Sequence, residues 1–230
     1  MPLLPSSDPA LPPVEITLRR SPRARRFSLR VSRLDGRVTL SLPPRAREAD
    51  ALAFARAQEG WIRRALSTVP EGQEIRFGTL VPVEGQMRVL RPGSGRILRL
   101  EGDSLLVPGD EAQLPQRLAA WLKHQARDRL AAASDLHAGR LGRPYRSLTL
   151  RDTRSRWGSC THDGRLMYSW RLILAPPVVL DYVAAHEVAH LAEMNHSAAF
   201  WAHVARLCPA YQAPRRWLKT EGQALHAYRF

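Results

Sequence analysis

The sequence predicts an α+β fold in which a β-rich first half precedes a helical second half that carries a small sheet. Three observations predict it: short alternating apolar and polar segments punctuated by Gly and Pro up to about residue 109, a long amphipathic stretch from Leu114 to Leu141, and an almost wholly apolar helical segment through Asp181–Leu191. With 230 residues, 44% of them hydrophobic, the chain can bury the core of one large domain or two small ones. The expected divisions are a disordered 1–13, a β-rich region 14–109 and a second domain 110–230.

Residues 1–13 hold five prolines (Pro2, Pro5, Pro9, Pro12, Pro13), which neither donate to a ladder nor continue a helix. Strands are expected at Glu15–Leu18, Phe27–Val31 and Val38–Leu42, with Asp35-Gly36 turning the last two into a hairpin. A helix over Arg47–Leu66 would bury Ala51, Leu52, Ala55, Trp61, Ile62 and Leu66, and further strands follow near Ile75–Val81, Gln86–Leu90 and Ile97–Leu106. The Leu114–Leu141 helix would line its buried face with Leu118, Trp121, Leu122, Leu130 and Leu136. Strands at Ser147–Arg151, Arg156–Cys160 and Leu166–Trp170 come next, the last two joined at His162-Asp163-Gly164. Asp181 begins a helix or lies in its first turn, behind the stop of Pro176-Pro177, and Ser197–Leu207 forms another. No internal repeat is evident.

Thirty-five Lys+Arg against 21 Asp+Glu give a net charge of +14, nearly all from arginine, since Lys123 and Lys219 are the only lysines. This balance admits nucleic acid, acidic surfaces or polyanionic substrates as partners; arginine-rich coding would produce it too. Cys160 and Cys208 cannot build a disulfide framework or a four-cysteine zinc ribbon. With no basic-then-apolar leader and no apolar run of about 18 residues, a soluble cytoplasmic protein without membrane contact is expected.

His186-Glu187-Val188-Ala189-His190 is the most informative segment. Residues four apart share a helix face, so His186 and His190 present two imidazoles to one point, a bidentate site for zinc. Glu187, one residue round the helix, is close enough to reach a metal-bound water without being an obligatory ligand. His196 is a candidate third ligand. A continuous helix would rotate it away from His190 by about 240°, so the chain must turn. Asn195, which tolerates left-handed backbone, is the expected pivot, and Ser197 the cap of the next helix. His203, on that helix, competes for the third position. Three histidines leave a fourth position open for water, as catalytic zinc requires, whereas Cys160 as a fourth ligand would close it. His124, His137, His162 and His226 have no ligand-like spacing and read as surface residues.

Arg156-Trp157-Gly158-Ser159-Cys160, Trp170 to Pro176, Asp181-Tyr182-Val183, His186-Glu187 through His190, Asn195-His196-Ser197, Phe200-Trp201 and Trp217-Leu218-Lys219 occur in this order. Together they resemble the YgjP-like metallopeptidases, a family related to the SprT-like and WLM zinc proteases. The resemblance is strong from Leu114 to Leu218 and looser before. It implies a zincin-like catalytic domain with a small sheet packed on the His-Glu-x-x-His helix, Zn2+ held by His186, His190 and His196, and Glu187 as catalytic residue. The spacing also equals that of metzincins, but Glu193 stands where they have glycine, and no methionine follows His196 to form their Met-turn. Cysteines for the zinc ribbon of SprT-like proteins are missing, so a DNA-repair role is not carried over.

The function expected is peptide hydrolysis by a zinc-bound water, with Glu187 taking its proton and handing it to the leaving amine. Tyr168, Tyr182, Tyr211 and His203 are unranked candidates for a second oxyanion donor. Trp157 to Cys160 reads either as an edge strand that pairs with an extended substrate or as core residues around a bulge at Gly158. The alternative function is nucleic-acid binding with a structural or vestigial zinc site, or a protease recruited to nucleic acid. It rests on ten arginines against three carboxylates within residues 1–47, although no helix-turn-helix, zinc-finger or RNP-like signature is present.

Overall fold

The computed structural model describes residues 2–6, 8, 10–32, 35–67 and 72–230. The chain forms two compact units, Met1–Glu71 and Gly72–Phe230. In the first, strands β1 (Leu3–Leu4), β2 (Val14–Arg20), β3 (Ser28–Val31) and β4 (Val38–Leu42) make a sheet of order β1-β2-β4-β3. β2 and β4 run parallel and the other two pairs antiparallel. Gly36, at φ 67°, supplies the left-handed residue of the expected β3–β4 turn; Arg33 and Leu34 lie outside the described residues. Strand alternation puts Ile16, Val38, Leu40 and Leu42 on one face, packed on helices α1 (Glu48–Ala57) and α2 (Glu59–Ser67) through Ala51, Ala55 and Ile62. Leu4 joins that core and β1 pairs with β2, so the proline-rich start contributes structure where disorder is expected. The expected single helix is interrupted at Gln58, which resets the helical phase; Ile62 points inward and Trp61 is 42% exposed.

The second unit begins with β5 (Gln73–Glu74) and a four-stranded sheet of β6 (Leu80–Val83), β7 (Gln86–Gly93), β8 (Arg99–Glu101) and β9 (Ser104–Pro108). Helix α3 (Leu114–Leu141) starts with Pro115 in its first turn and ends at Gly142, whose φ of 75° lets its N–H reach the Ala138 carbonyl. Leu114, Leu118, Leu122, Ala126 and Leu130 recur every four residues as its buried stripe; Leu136, expected there, is 49% exposed. Val81, Leu90, Leu105 and Val107 of the sheet share one core with α3.

Next come β10 (Ser147–Arg151), β11 (Gly158–Cys160) and β12 (Arg165–Ser169), a sheet of order β10-β12-β11, and a 3-10 turn at Trp170–Leu174. Helix α4 (Pro177–Ala189) starts four residues before Asp181, because Pro177 occupies the first helical position, where its missing N–H has no partner to lose. Helices α5 (Ala198–Leu207) and α6 (Gln212–Thr220) follow, and β13 (Tyr228–Arg229) pairs in parallel with β5. α6 is absent from the sequence reading; it is only nine residues long and carries Pro214, which reads as a helix stop. One strand arrangement occurs three times: in β2-β4-β3, β7-β9-β8 and β10-β12-β11 the first and third strands are parallel and the second lies antiparallel at the outside. No matching sequence repeat marks it, since pairing uses backbone groups common to every residue.

Of the histidines expected at the surface, His137 is inside and His226 is half-buried. His137 is fully buried, and its Nε2 lies 2.9 Å from Asp181 Oδ1, tying α3 to α4. His226 stacks on Trp157 at 5.0 Å. The segment carrying it is clamped by Arg171, which donates to both carboxylate oxygens of Asp152 (2.7 and 3.1 Å) and to the carbonyls of Leu225 and Tyr228. Burial, and then the Arg171 charge, lower the His226 pKa from 6.5 to about 4. Between those values the unfolded chain binds the extra proton, so acidification from pH 6.5 to 4 removes stability. Urea unfolding at pH 4.5 and pH 7 should show a smaller acid loss for His226→Phe, which keeps a ring on Trp157, than for the parent; equal losses would contradict it.

Candidate active site

α4 is apolar almost all round, and Val179, Val183, Ala184, Ala185, Val188 and Ala189 bury it on every side. That burial fixes where His186, Glu187 and His190 point. The helix stops at His190, after which Leu191 and Ala192 donate to the carbonyls of Val188 and Ala189 and close a tight turn. Asn195 makes the return, but not in the expected left-handed conformation, which among the described non-glycine residues only Glu84 adopts. Instead its Oδ1 accepts the Ser197 N–H at 3.0 Å, and Ser197 Oγ caps α5 by accepting the Phe200 N–H at 3.3 Å.

The turn carries His196 back to α4. Ligand atoms of His186, His190 and His196 all lie within 4.8 Å of one another, while His203 and Cys160 stand outside the group. The Nε2 atoms of His186 and His196 are 3.1 Å apart. Two nitrogens bound tetrahedrally to one zinc at about 2.05 Å would be separated by about 3.3 Å. His190 donates from Nδ1 to the Glu193 carbonyl at 2.9 Å, which assigns its proton to Nδ1 and frees the Nε2 lone pair for the cluster. Phe200 packs on all three imidazoles, with centroids 4.4–4.9 Å away. Burial, followed by the neighbouring imidazoles, pulls the His186 pKa down to about 3, and burial lowers that of His190. Neutral imidazoles are the ligand form, so the donor set fits a divalent ion of the zinc type. The Cys160 thiol is pushed up to about 11 by burial and donates to the Thr161 carbonyl, outside the imidazole group.

Glu187, 6% exposed, points beneath β11. Burial lifts its pKa to about 8 against the opposing charge of Arg156. A Cβ on Gly158 would stand 2.6 Å from both Cγ and Oε1 of Glu187, so only glycine lets β11 lie this close to α4. Of the two sequence readings of this segment, an edge strand or a bulge at Gly158, neither contains this contact. The glycine's partner is 29 residues away, and no local pattern reveals the contact. β11 pairs with β12 alone and is the sheet edge, closing a cleft lined by Gly158, Ser159, Cys160, the three histidines, Glu187 and Met194. Among the expected oxyanion donors, Tyr168 is fully buried against Ser134 and Tyr182 is buried, stacked edge-on to His186 at 5.9 Å; Tyr211 is half-buried on Trp201. Arg156 and Arg215, whose charges act on Glu187 and His186, are missed as site residues because arginines are everywhere in this chain.

Three converging imidazoles beside a buried carboxylate, on an α+β scaffold with an open sheet edge, make a group that could hold a metal ion. The family model described as YgjP-like, metallopeptidase domain, matches residues 25–221, and the chain belongs to that family. Among solved structures, the crystal structure of the metallopeptidase zymogen of Pyrococcus abyssi abylysin is similar at 20% identity, covering 42% of this chain and 95% of that one with a TM-score of 0.34. No curated protein matches the chain. Among the described residues no helix is long and apolar enough to cross a membrane.

Gly158→Ala should force the Glu187 carboxylate aside while leaving the histidines in place. Zinc stoichiometry should hold and casein hydrolysis fall on the order of a hundredfold, as small misplacements of a reacting group cost; unchanged hydrolysis would show that the contact does not position Glu187.

Proposed function

We propose that this metallopeptidase uses zinc, held by His186, His190 and His196, and that Glu187 is its proton carrier. All four residues lie in 110–230, the region assigned here as the zincin-like catalytic domain. The observation that carries the reading is the single cleft in which three imidazoles meet a buried carboxylate at an open strand edge. Bound there, zinc would supply a Lewis acid that polarises a peptide carbonyl and brings the pKa of water toward about 7. The rest is work for the chain. Backbone groups of β11 pair with an extended peptide and present its carbonyl to the cleft. Glu187, made more basic by its dry surroundings, takes the proton of the attacking water on a carboxylate oxygen and passes it to the leaving nitrogen. Phe200 packs on the imidazoles and helps to shield His186 and His190, while His196 stays exposed. Two unpaired cysteines suit a reducing cytoplasm.

Glu187→Gln should bind zinc normally and lose about 10²- to 10⁴-fold in peptide hydrolysis. His196→Ala should lose zinc and His203→Ala keep it, with metal content and casein cleavage measured on the same samples. A fully active, zinc-loaded Glu187→Gln would rule the mechanism out.

A second reading, recruitment to nucleic acid, has its own observation. The face of the first sheet opposite its core carries Arg19 beside Ser41 and Ser28, and Arg30 beside Thr39 and Thr17. Arg23, Arg25 and Arg26 add exposed guanidinium groups in the β2–β3 loop. Guanidinium and hydroxyl donors predominate on this face, which also carries Glu15 and the exposed Leu3 of β1, and such donors suit phosphate oxygens. Oligonucleotide anisotropy should show affinity falling steeply between 50 and 200 mM salt, with a shallower slope for Arg19→Glu/Arg30→Glu. Salt-independent or absent binding would dismiss it.

A further inference from the structure

Next to the imidazoles, outside the lining of the cleft, runs a row of aromatic rings. Trp201 lies 5.8 Å from His186 and 5.9 Å from His196, and Tyr211 stacks on it at 5.6 Å. The guanidinium of Arg215 lies over the Trp201 ring at 4.2 Å. Arg215 sits in the first half of α6, directly after the buried Pro214, and Trp201 and Arg215 are both only half-buried. Contact with the ring face attracts the guanidinium charge without using its fork of N–H donors, which stays available to an anion. Three other arginines of this unit that are held in place hold a carboxylate: Arg171 pairs with Asp152, Arg129 with Glu84 and Arg165 with Asp163. Among the described residues no carboxylate pairs with Arg215, which is held on the Trp201 ring instead. A fixed, partly desolvated guanidinium without an anion, one ring away from the imidazole cluster, is a vacant carboxylate receptor.

We propose that Arg215 is a specificity-determining residue that binds a carboxylate of the peptide substrate, next to the scissile bond. This rests on the peptidase reading above. The carboxylate can come from an Asp or Glu side chain or from the peptide C-terminus, and both present the planar anion that the fork matches. Trp201 contributes the platform: its indole lies under the guanidinium and also against His186 and His196, so the distance from receptor to reacting carbonyl is set by rigid rings.

The test uses the zinc-loaded full chain and alanine-based peptides carrying Ala, Glu or Lys at each position flanking the cleaved bond, with the C-terminus amidated or free. One class of carboxylate peptide should exceed its neutral counterpart in kcat/KM by on the order of tenfold, mostly through KM, as one charge-assisted pair allows. An internal Glu preference assigns the side chain and a free-acid preference assigns the C-terminus. Arg215→Ala should bring the ratio near one, Arg215→Glu should turn it in favour of Lys, and Arg216→Ala, the exposed neighbour on the same helix, should leave it alone. An unchanged ranking in Arg215→Glu, or no carboxylate preference in the parent, would overturn the assignment. Binding of the same peptides to Glu187→Gln, followed by tryptophan fluorescence, reads the preference without turnover. Peptides bound with an Arg215-dependent preference but never cut by the parent would sink the peptidase reading alone.

Discussion

The site depends on one close approach. Because residue 158 has no side chain, β11 can lie against the carboxylate of Glu187, with 2.6 Å from an imagined Cβ to the nearest atoms. From that contact follow the burial of Glu187, its raised basicity and the narrowness of the cleft beside the histidines. Trp157 secures the approach from the other side. It packs into the main core and stacks with His226, and its carbonyl accepts the Ser169 N–H at 2.8 Å, so the strand cannot drift from the helix without disturbing both.

Such a site is costly to fold. A carboxylate and two of three imidazoles sit where water would otherwise solvate them, and each is displaced from its ordinary acidity toward the uncharged form. Surrounding structure must hold them against that cost, and α4 is suited to it because nearly every other residue along its length is apolar and packed. The buried His137 and Asp181 pair adds a polar link to α3, and the Arg171 clamp fixes the C-terminal segment over Trp157. A divalent cation would offset much of the electrostatic penalty, so ion binding and local stability are coupled here.

Much of this was legible in the sequence, and the reasons differ by feature. The four-residue spacing of His186 and His190 is a helical property, readable wherever the helix is apolar. Ser197 as a cap needs only its hydroxyl and the donor three residues on. The exact span of α3 could be read because Pro115 and Gly142 bracket it. What could not be read depends on partners distant in the chain. Gly158 matters because of Glu187, His226 is half-buried because of Trp157, and Asn195 turns the chain with its side chain although its residue type equally allows a left-handed backbone. The boundary expected near residue 109 follows composition, whereas strands β6 to β9 share their core with α3. Packing of that kind leaves no local trace.

The three-times repeated strand arrangement always puts its middle strand at the outside, and in the sheet beside α4 that strand is β11, only three residues long. An open edge is a template for any extended chain, including a second copy of the protein, and long flat edges invite filaments. Three residues offer too few backbone pairs to hold two folded copies together. A flexible peptide, with contacts to gain from the cleft as well, can still be held. Shortness at this edge therefore separates binding of a substrate from self-association, and Arg156, exposed just before it, adds like-charge repulsion between copies.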